Sequence, residues 1–538
     1  MKIDYLKKNK FKIFIDISTT YSEIFLNKKK YNYIFKTSDK KSYKFDIRDL
    51  VKKIILNNNF KKILINLDLN FYLIVWSADY LFCVVDNISS FQLVYEIENQ
   101  IIKISDQIKQ TEYKKFKKNE LIEKLIFNSG YSLGNRTLLD KVKLFMPGEY
   151  MVYENNIIKF NNYYKTNFCY SHIKSKDINF LEIINKLFLD LKKKYYSRNI
   201  IIPLSAGIDS RFILSTLKYF NFKNIKIFTH YYLNRRDYVV AKEISKYLDY
   251  PIEYVSLKPS ETKKIYRSNK FNSYLNYKNT GNSINNHGDF ISIEKLIQQN
   301  YINLETDIIM NGQSGDFITG NHIPQFLFEK EDKNIEHMLE KTLDYIIFKH
   351  YNLWSHKKIT QDQKLIKNYV KKNYFNNISS KEEIISKYEY FEFENRQVKW
   401  VVGQQKVYDF LGLDSYLPLW SIKIVDYFTR NVCVLQRKNQ TFYKEFLIKK
   451  NFAGVWKSVL INPQEKFNIF FRFFRFLLKA AFYFVGKSQW YDFEKKYLGY
   501  FMDNTLISTL YKYSDFIKLR NIPRNTMALM TKNYLKKK

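Results

Sequence analysis

The sequence predicts an α/β fold with a parallel sheet in the middle of the chain. Residues 200–220 read IIIPLSAGIDSRFILSTLKYF, and this β-branched apolar run leads through a short turn into a helical pattern. A second strand over 224–229, a helix over 237–248 and a third strand over 252–257 are predicted next. This alternation of strand and helix indicates parallel strands, whose ligands bind beyond the carboxyl ends of the strands.

The turn between the first strand and its helix, residues 204–210 (LSAGIDS), suits the pyrophosphate of a nucleotide. Backbone N–H groups at a helix N-terminus point at a ligand, Ser205 and Ser210 add hydroxyl donors, and Gly207 allows close approach. Asp209 adds a carboxylate where a phosphate-bound Mg²⁺ would lie. The turn lacks the Gly-Lys-Ser/Thr ending of a P-loop, so transfer of the γ-phosphoryl group is not expected. The alternative is an ordinary strand-to-helix turn with a capping serine or aspartate.

Four segments, in the same order along the chain, resemble motifs of the asparagine synthetase family and its relatives. LSAGIDS resembles the family's pyrophosphate loop, LSGGLDS, and residues 312–320 (GQSGDFITG) resemble its GEGADELFGG segment, with Asp316 at the acidic position. Asp237 stands where the family has the acidic start of the next helix. Residues 416–421 (YLPLWS), which follow an E-x-R triplet at 394–396, resemble the family's E-x-R…R-x-P-F-L-D region.

The resemblance implies an ATP-pyrophosphatase domain of the PP-loop type (adenine nucleotide alpha hydrolase-like) over 176–455, with a parallel sheet and a helical C-terminal region. It implies a ligase that uses ATP to adenylate a carboxylate, releases pyrophosphate and passes ammonia or another amine to the activated carbon. Asp209 and Asp316 would act in catalysis and hold Mg²⁺. Lys444, in a stretch similar to the family's lysine-containing segment, would be the cation at the reacting phosphates, and the alternative is a solvated lysine. The predicted ATP-binding residues are Leu204, Ser205, Ala206, Gly207, Ile208, Asp209, Ser210, Gly312 and Gly315.

The resemblance extends upstream to the glutamine amidotransferase domain that precedes the synthetase. Residues 86–95 (DNISSFQLVY) resemble the D-R-x-G-x-x-P-L-Y-Y strand pair of that domain, and residues 130–150 resemble its closing segment. This implies an α+β, Ntn-hydrolase-like sandwich over 1–175. The chain begins Met-Lys where glutamine-using enzymes have Met-Cys, so we expect the shape of a glutaminase without its activity. Cys83 lies in an apolar run and is predicted to be a buried structural thiol.

The amine end of the predicted site departs from the family. Gln313 and Phe317 stand where asparagine synthetases have glutamates, and an amide cannot take a proton from an incoming amine. We therefore do not expect simple aspartate as the acceptor, and a small-molecule or surface-glycan carboxylate is the hypothesis, with Gln313 and His322 as candidate substrate contacts. The alternatives are an adenylating enzyme that modifies RNA and a non-catalytic scaffold. Three aromatic residues are assigned to the core rather than to a sugar platform: Trp400, Tyr408 and Trp420.

The formal net charge of +36 raises the question of anionic partners. The lysines are spread along the whole chain, which indicates compositional bias, and no RNA-binding motif is present, so nucleic acid is not an expected partner. Three scattered cysteines and the absence of a signal-peptide pattern lead us to expect a cytoplasmic protein. Residues 456–538 form a predicted basic, aromatic, helical tail. Within it, 467–485 (FNIFFRFFRFLLKAAFYFV) is predicted to lie on a membrane surface or, alternatively, to pack as a buried helix.

Overall fold

The computed structural model describes residues 11–41, 46–168, 179–230, 235–256, 258–329, 334–356, 358–459, 469–482, 484–498, 500, 511–519 and 521–538. Within these ranges fifteen strands form three sheets. The strands are β1 (Lys12–Asp16), β2 (Ser22–Leu26), β3 (Lys29–Thr37), β4 (Phe71–Trp76), β5 (Leu81–Val85), β6 (Val94–Glu98), β7 (Ile101–Ser105), β8 (Lys143–Leu144), β9 (Glu149–Glu154), β10 (Ile157–Asn162), β11 (Asn199–Pro203), β12 (Ile225–His230), β13 (Ile252–Val255), β14 (Asp307–Met310) and β15 (Asp414–Tyr416).

The described helices are distributed along the whole chain. They are α1 (Ile47–Ile55), α2 (Phe60–Asn66), α3 (Gln110–Lys115), α4 (Glu120–Ser129), α5 (Phe180–Lys194), α6 (Ile208–Tyr219), α7 (Arg235–Leu248), α8 (Pro259–Tyr266), α9 (Asn269–Asn276), α10 (Phe290–Gln298), α11 (Gly315–Ile318), α12 (Ile335–His350), α13 (Gln361–Tyr374), α14 (Lys381–Glu392), α15 (Gln405–Leu411), α16 (Ile422–Asp426), α17 (Val434–Arg437), α18 (Thr441–Lys450), α19 (Val455–Ser458), α20 (Ile469–Ala481), α21 (Lys487–Phe493), α22 (Tyr513–Ile517) and α23 (Thr526–Lys537). A π-helix, Phe393–Val401, continues α14.

The N-terminal part is a sandwich of two sheets. One sheet has the order β1-β7-β6-β8, and the other is antiparallel throughout with the order β10-β9-β5-β4-β3-β2. Strands β4 and β5 are buried on both faces because alternate side chains enter two different cores. Leu73 and Phe82 pack with α1 and α2, whereas Ile74 and Cys83 pack between the two sheets. An α+β sandwich is therefore present, as the sequence predicted.

Cys83 is a buried structural thiol, as predicted, and burial raises its pKa well above the usual value. The segment 86–95 departs from its resemblance to a strand pair, since only its last two residues belong to a strand, β6. The rest turns around the buried Asp86 carboxylate, which accepts hydrogen bonds from the backbone N–H groups of Phe71 (2.8 Å) and Ile88 (2.9 Å). A buried acceptor satisfied in this way fixes a turn instead of a ladder.

The middle of the chain contains a five-stranded sheet with the order β13-β12-β11-β14-β15, and every neighbouring pair is parallel. The predicted strands and helix are confirmed, with β12, α7 and β13 each differing from the predicted bounds by one or two residues. Strand β11 lies at the centre, where Ile201 packs into one core and Ile200 and Ile202 into another. Both faces of the sheet are covered, as parallel sheets require.

A group of buried charges joins the sandwich to the second half of the chain, and we call Lys36, Asp106, Lys278 and Asp409 the joining cluster. Asp409 of α15 bonds the Lys36 ammonium of β3 and lies 3.3 Å from Lys278 Nζ. Lys278 Nζ also lies 3.5 Å from the Asp106 carboxylate. Burial raises the pKa of Asp409, but Lys278 and Lys36 outweigh burial and hold it at about 2. These charges therefore stabilise one another across the boundary between the two halves.

The last part of the chain returns to the main core. Trp456 of α19 is buried, and Ala528 and Leu529 of α23 are buried in the same hydrophobic cluster as α4. The helix α20 lies between these two buried segments in the chain. Among the described helices, none is both long enough and apolar enough to cross a membrane.

Candidate nucleotide site at the edge of the parallel sheet

The turn predicted to bind phosphate connects the end of β11 to the start of α6. Gly207 is the N-cap of α6 and has no side chain to satisfy the first N–H groups of the helix. The turn is held internally, because the N–H of Ser205 donates to Ser210 Oγ (3.2 Å) and the N–H of Gly207 donates to Ser205 Oγ (3.1 Å). The two serines therefore shape the turn in this structure.

Asp237, at the start of α7, reaches the same turn. Its carboxylate accepts a hydrogen bond of 2.6 Å from the backbone N–H of Ala206. Asp237, at the position of the family's acidic helix start, thus contacts Ala206 of the segment that resembles the family's pyrophosphate loop. This contact occupies the Ala206 N–H, so phosphate could engage that N–H only by displacing the Asp237 carboxylate.

Two glycines bring the loop between β14 and α11 against the N-terminus of α6. A Cβ on Gly312 would lie 2.7 Å from the carbonyl carbon and from the Cβ of Asp209. A Cβ on Gly315 would collide with the Asp209 carboxyl group and would lie 2.5 Å from Leu419 Cδ1. Because real Cβ atoms do not approach other atoms this closely, the predicted residues Gly312 and Gly315 are required for the contact with Asp209.

Asp209 and Asp316 are brought together at this edge. Burial raises the pKa of Asp209 well above its usual range, and the Asp316 charge raises it further. Its Oδ1 atom is buried and accepts no hydrogen bond from any described residue. Tyr443 of α18 lies near the same carboxylate, and burial together with the Asp209 charge raises the pKa of its phenol well above the usual value. A buried acceptor without a partner beside a second carboxylate is suited to a cation.

Mg²⁺ fits this pair as part of a nucleotide complex rather than as a protein-only centre. In the described part of the chain, no group of three or more histidine, cysteine, aspartate or glutamate side chains is arranged to hold a metal. Asp209 and Asp316 offer two carboxylates, and Mg²⁺ commonly combines one or two carboxylates with phosphate oxygens and water.

His322 connects Asp316 to a fully buried glutamate that the sequence did not reveal. Its Nε2 lies 2.9 Å from the Asp316 carboxylate, and its Nδ1 bonds Glu392. Burial lowers the pKa of His322, but Glu392 and Asp316 outweigh burial and raise it to about 9. Glu392 also accepts from Arg396 (3.1 Å). We call Asp209, Asp316, His322, Glu392 and Arg396 the edge cluster.

The other candidate substrate residue, Gln313, is held by the side-chain amides of two residues at the start of α15. Its Nε2 donates to Gln404 (3.0 Å), and its Oε1 accepts from Gln405 (3.1 Å). Phe317 is buried, and its ring packs against Trp420 and edge-on against the His322 ring. The position where the family has its second glutamate therefore belongs to the core.

The three aromatic residues that the sequence assigned to the core, Trp400, Tyr408 and Trp420, do lie in it or against it. Tyr408 and Trp420 are buried, and Trp400 packs against the main cluster from its edge. The Tyr408 hydroxyl donates to Asp289 (2.5 Å). Their assignment to the core is confirmed.

Lys444 lies on α18, one residue after Tyr443. Its ammonium donates to the backbone carbonyl of Asn439 (2.7 Å), at the start of the same segment. The structure thus places the helix that carries Lys444 beside Asp209 without placing the ammonium on a carboxylate of the edge cluster. Its catalytic role stays a prediction.

The E-x-R triplet is divided between two places. Arg396 belongs to the edge cluster, whereas Glu394 faces a cavity of about 400 Å³ on another side of the π-helix. There Glu394 accepts from the hydroxyls of Tyr374 and Tyr390 (2.9 Å for Tyr390), beside Arg136. The sequence pattern placed the two residues together, and the helix separates them.

Comparisons with known proteins add little to this geometry. No protein-family model and no curated protein matches the chain. Among solved structures, the allosteric regulatory enzyme of purine biosynthesis matches 43% of this chain at 7% identity and a TM-score of 0.17. The glutamine phosphoribosylpyrophosphate amidotransferase from B. subtilis, complexed with ADP and GMP, matches 55% of it, also at 7% identity and a TM-score of 0.17. The chain covers 61% and 58% of the lengths of these two structures, and likeness this weak carries no argument.

Proposed function

We propose that this protein is an ATP-dependent carbon–nitrogen ligase that adenylates a carboxylate and transfers ammonia or another amine to it. One observation carries the proposal: Gly312 and Gly315 hold Asp209 and Asp316 together at the carboxyl edge of a parallel sheet, beside the uncapped start of α6. Ligands of open parallel sheets bind at this edge, and helix N-termini favour anions. The four motifs that resemble asparagine synthetases support the same reading.

In the proposed complex the phosphates of ATP lie over residues 204–210. The first N–H groups of α6, which no N-cap side chain satisfies, would bind phosphate oxygens, and Lys444 would leave the Asn439 carbonyl to add a positive charge. Asp209 and Asp316 would hold Mg²⁺, which when bound neutralises charge on the leaving pyrophosphate. Binding a cation would also remove the cost of burying the unpaired Asp209 oxygen.

The chemistry is two successive substitutions. An oxygen of the substrate carboxylate attacks the α-phosphorus, a new P–O bond forms, and the bond to pyrophosphate breaks. The amine nitrogen then attacks the acyl carbon, a C–N bond forms, and AMP leaves with the bonding electron pair. One proton is released from the nitrogen. Amide formation therefore consumes one ATP and yields AMP and pyrophosphate.

We propose that His322 positions Asp316 and does not contact the substrate. Both ring nitrogens are occupied, one by Asp316 and one by Glu392. With a pKa of about 9 the ring is a cation at neutral pH, so it does not accept the proton of the amine. Gln313 is an amide and cannot accept it either, which leaves the amine to enter unprotonated or to lose its proton to water.

The test is Mg²⁺-dependent exchange of labelled pyrophosphate into ATP, with a panel of carboxylates that includes aspartate and uronic acids. Asp209→Asn should abolish exchange because it removes a metal-binding charge. Asp249→Asn makes the same chemical change at an exposed position after α7 and should leave exchange unchanged. Exchange that persists in Asp209→Asn would contradict the proposal. ATP binding without exchange would direct the search to acceptors outside the panel, including RNA, and absent ATP binding would favour a scaffold.

A further inference from the structure

Helix α20 presents a row of large apolar side chains to solvent. Phe473 and Phe476 are 63% and 66% exposed, and Phe474 and Leu477 are each 51% exposed. Beyond the end of the helix, Phe484 is 94% exposed. Single exposed apolar residues are normal in soluble proteins, but a contiguous aromatic patch marks a surface that binds something.

These side chains share one side of the helix. At about 100° per residue, Phe473, Phe474, Phe476 and Leu477 fall within about 160° of the helix circumference. Another side is already used, because Arg475 pairs with Glu494 (3.2 Å between Nη2 and Oε2) and Phe482 contacts the Trp490 ring. The helix is therefore fixed to the rest of the tail by its polar side, and its apolar side is left uncovered among the described residues.

The charges around this face are positive. Residues 469–498 contain six basic side chains and two acidic ones. Lys479 lies about 60° around the helix from Phe476, and both it and Lys487 of α21 are exposed, whereas the acidic Glu494 is already paired with Arg475. Apolar side chains flanked by lysines are complementary to an anionic lipid surface, in which acyl chains lie beneath negative headgroups.

A second copy of the chain is a poorer occupant. Each copy has a formal charge of +36, so pairing through a face that is itself flanked by lysines would bring like charges together. A membrane-crossing arrangement is also excluded for the described helices, none of which is long and apolar enough.

We propose that the α20 face, formed by Phe473, Phe474, Phe476 and Leu477, binds the surface of an anionic bilayer with the helix lying in the headgroup plane. The segments that flank it in the chain, α19 and α23, are buried in the folded core. Because both segments belong to the folded core, binding of the α20 face would attach the whole protein to the membrane. This proposal is independent of the ATP chemistry and can be tested without a substrate.

The test is co-flotation of the full-length protein with vesicles of phosphatidylcholine alone or with about 30% phosphatidylglycerol. The wild type should float with anionic vesicles and not with neutral ones, and added salt should weaken binding. Phe473→Ser with Phe476→Ser should lower the partition coefficient at least about tenfold, because two exposed phenyl groups no longer enter the acyl boundary. Both side chains are solvent-exposed, so the double variant should keep its melting temperature.

Phe14→Ser with Phe25→Ser is the matched control, since these phenylalanines of the sandwich are 56% and 68% exposed. It should bind vesicles within about twofold of the wild type. Equal binding to neutral vesicles, no binding by the wild type, or full binding by the α20 variant would overturn the proposal. Sedimentation velocity tests whether a second copy of the chain binds this face instead. A wild-type dimer that becomes monomeric in the α20 variant would assign the face to a second copy and overturn the proposal.

Discussion

The edge cluster and the joining cluster each contain a buried carboxylate whose pKa is shifted, Asp209 in one and Asp409 in the other, yet only the edge cluster has the features of a ligand site. In the joining cluster Asp409 faces two lysines, and the charges bridge the sandwich and the second half of the chain. In the edge cluster a carboxylate oxygen of Asp209 is buried without a hydrogen-bond partner among the described residues, and two glycines allow the loop of Asp316 to pack against it. Shifted pKa values alone therefore do not identify a site, because structural ion pairs shift them as well.

The comparison predicts that the edge cluster is intolerant of added bulk. Gly315→Ala should lower pyrophosphate exchange by about a thousandfold or more, because its Cβ would displace the Asp209 carboxylate from its position. Gly403→Ala is the control, since a Cβ there would meet nothing within 4 Å. Steady-state exchange rates and circular dichroism of both variants make the test. Near-normal exchange in Gly315→Ala would show that the close contact between residue 315 and Asp209 is not needed for exchange.

The joining cluster should instead control stability. Asp409→Ala leaves Lys36 and Lys278 buried without their main partner and should lower the free energy of unfolding by about 3–5 kcal/mol. Glu305→Ala removes an exposed pair with Lys41 and should leave the free energy of unfolding close to that of the wild type, because solvent screens this pair. Urea denaturation measures both. If Asp409→Ala unfolds like the wild type, the joining cluster does not hold the two halves together.

The pH dependence of the free energy of unfolding should show that His322 is protonated in the folded protein. Its pKa rises from the ordinary 6.5 to about 9 in the folded state, so the folded protein binds more protons than the unfolded chain between these values. The stabilisation is complete below pH 6.5 and is lost as the pH rises through 9. The stability advantage of wild type over His322→Gln should fall by up to about 3 kcal/mol across this window. An advantage that is constant with pH would mean that His322 is neutral.

A smaller effect is expected for the predicted cation on α18. Lys444→Met should reduce exchange by about a hundredfold if the ammonium turns from the Asn439 carbonyl to the phosphates. Lys449→Met changes an exposed lysine of the same helix and should stay within about twofold of the wild type. Equal rates for the two variants would restore the alternative of a solvated lysine.

The parts predicted from sequence are those that depend on local patterns. The apolar run of β11, the turn after it and the strands β12 and β13 follow from residues close together in the chain. That Asp209 and Asp316 belong to one site was expected only from the resemblance to asparagine synthetases. Strand β14, which brings residues 312–316 to the same edge of the sheet, was not predicted.

The edge cluster could not be completed from sequence because its remaining members depend on tertiary packing. Glu389, Glu392 and Glu394 lie within six residues and look equivalent in the sequence. In the fold Glu389 pairs with the buried Arg437, Glu392 with His322, and Glu394 with two tyrosine hydroxyls beside the cavity. The change from α-helix to π-helix at Phe393 shifts which direction each side chain takes, and no spacing rule for an α-helix predicts it.

The most direct test of the central claim is calorimetric titration of ATP into the protein with and without Mg²⁺. ATP should bind the wild type and Asp249→Asn in a Mg²⁺-dependent manner, and a folded Asp409→Asn variant should bind it with unchanged affinity. Binding to Asp209→Asn should be at least about tenfold weaker. ATP affinity that is the same in Asp209→Asn as in the wild type would contradict the assignment of the edge cluster as the nucleotide site.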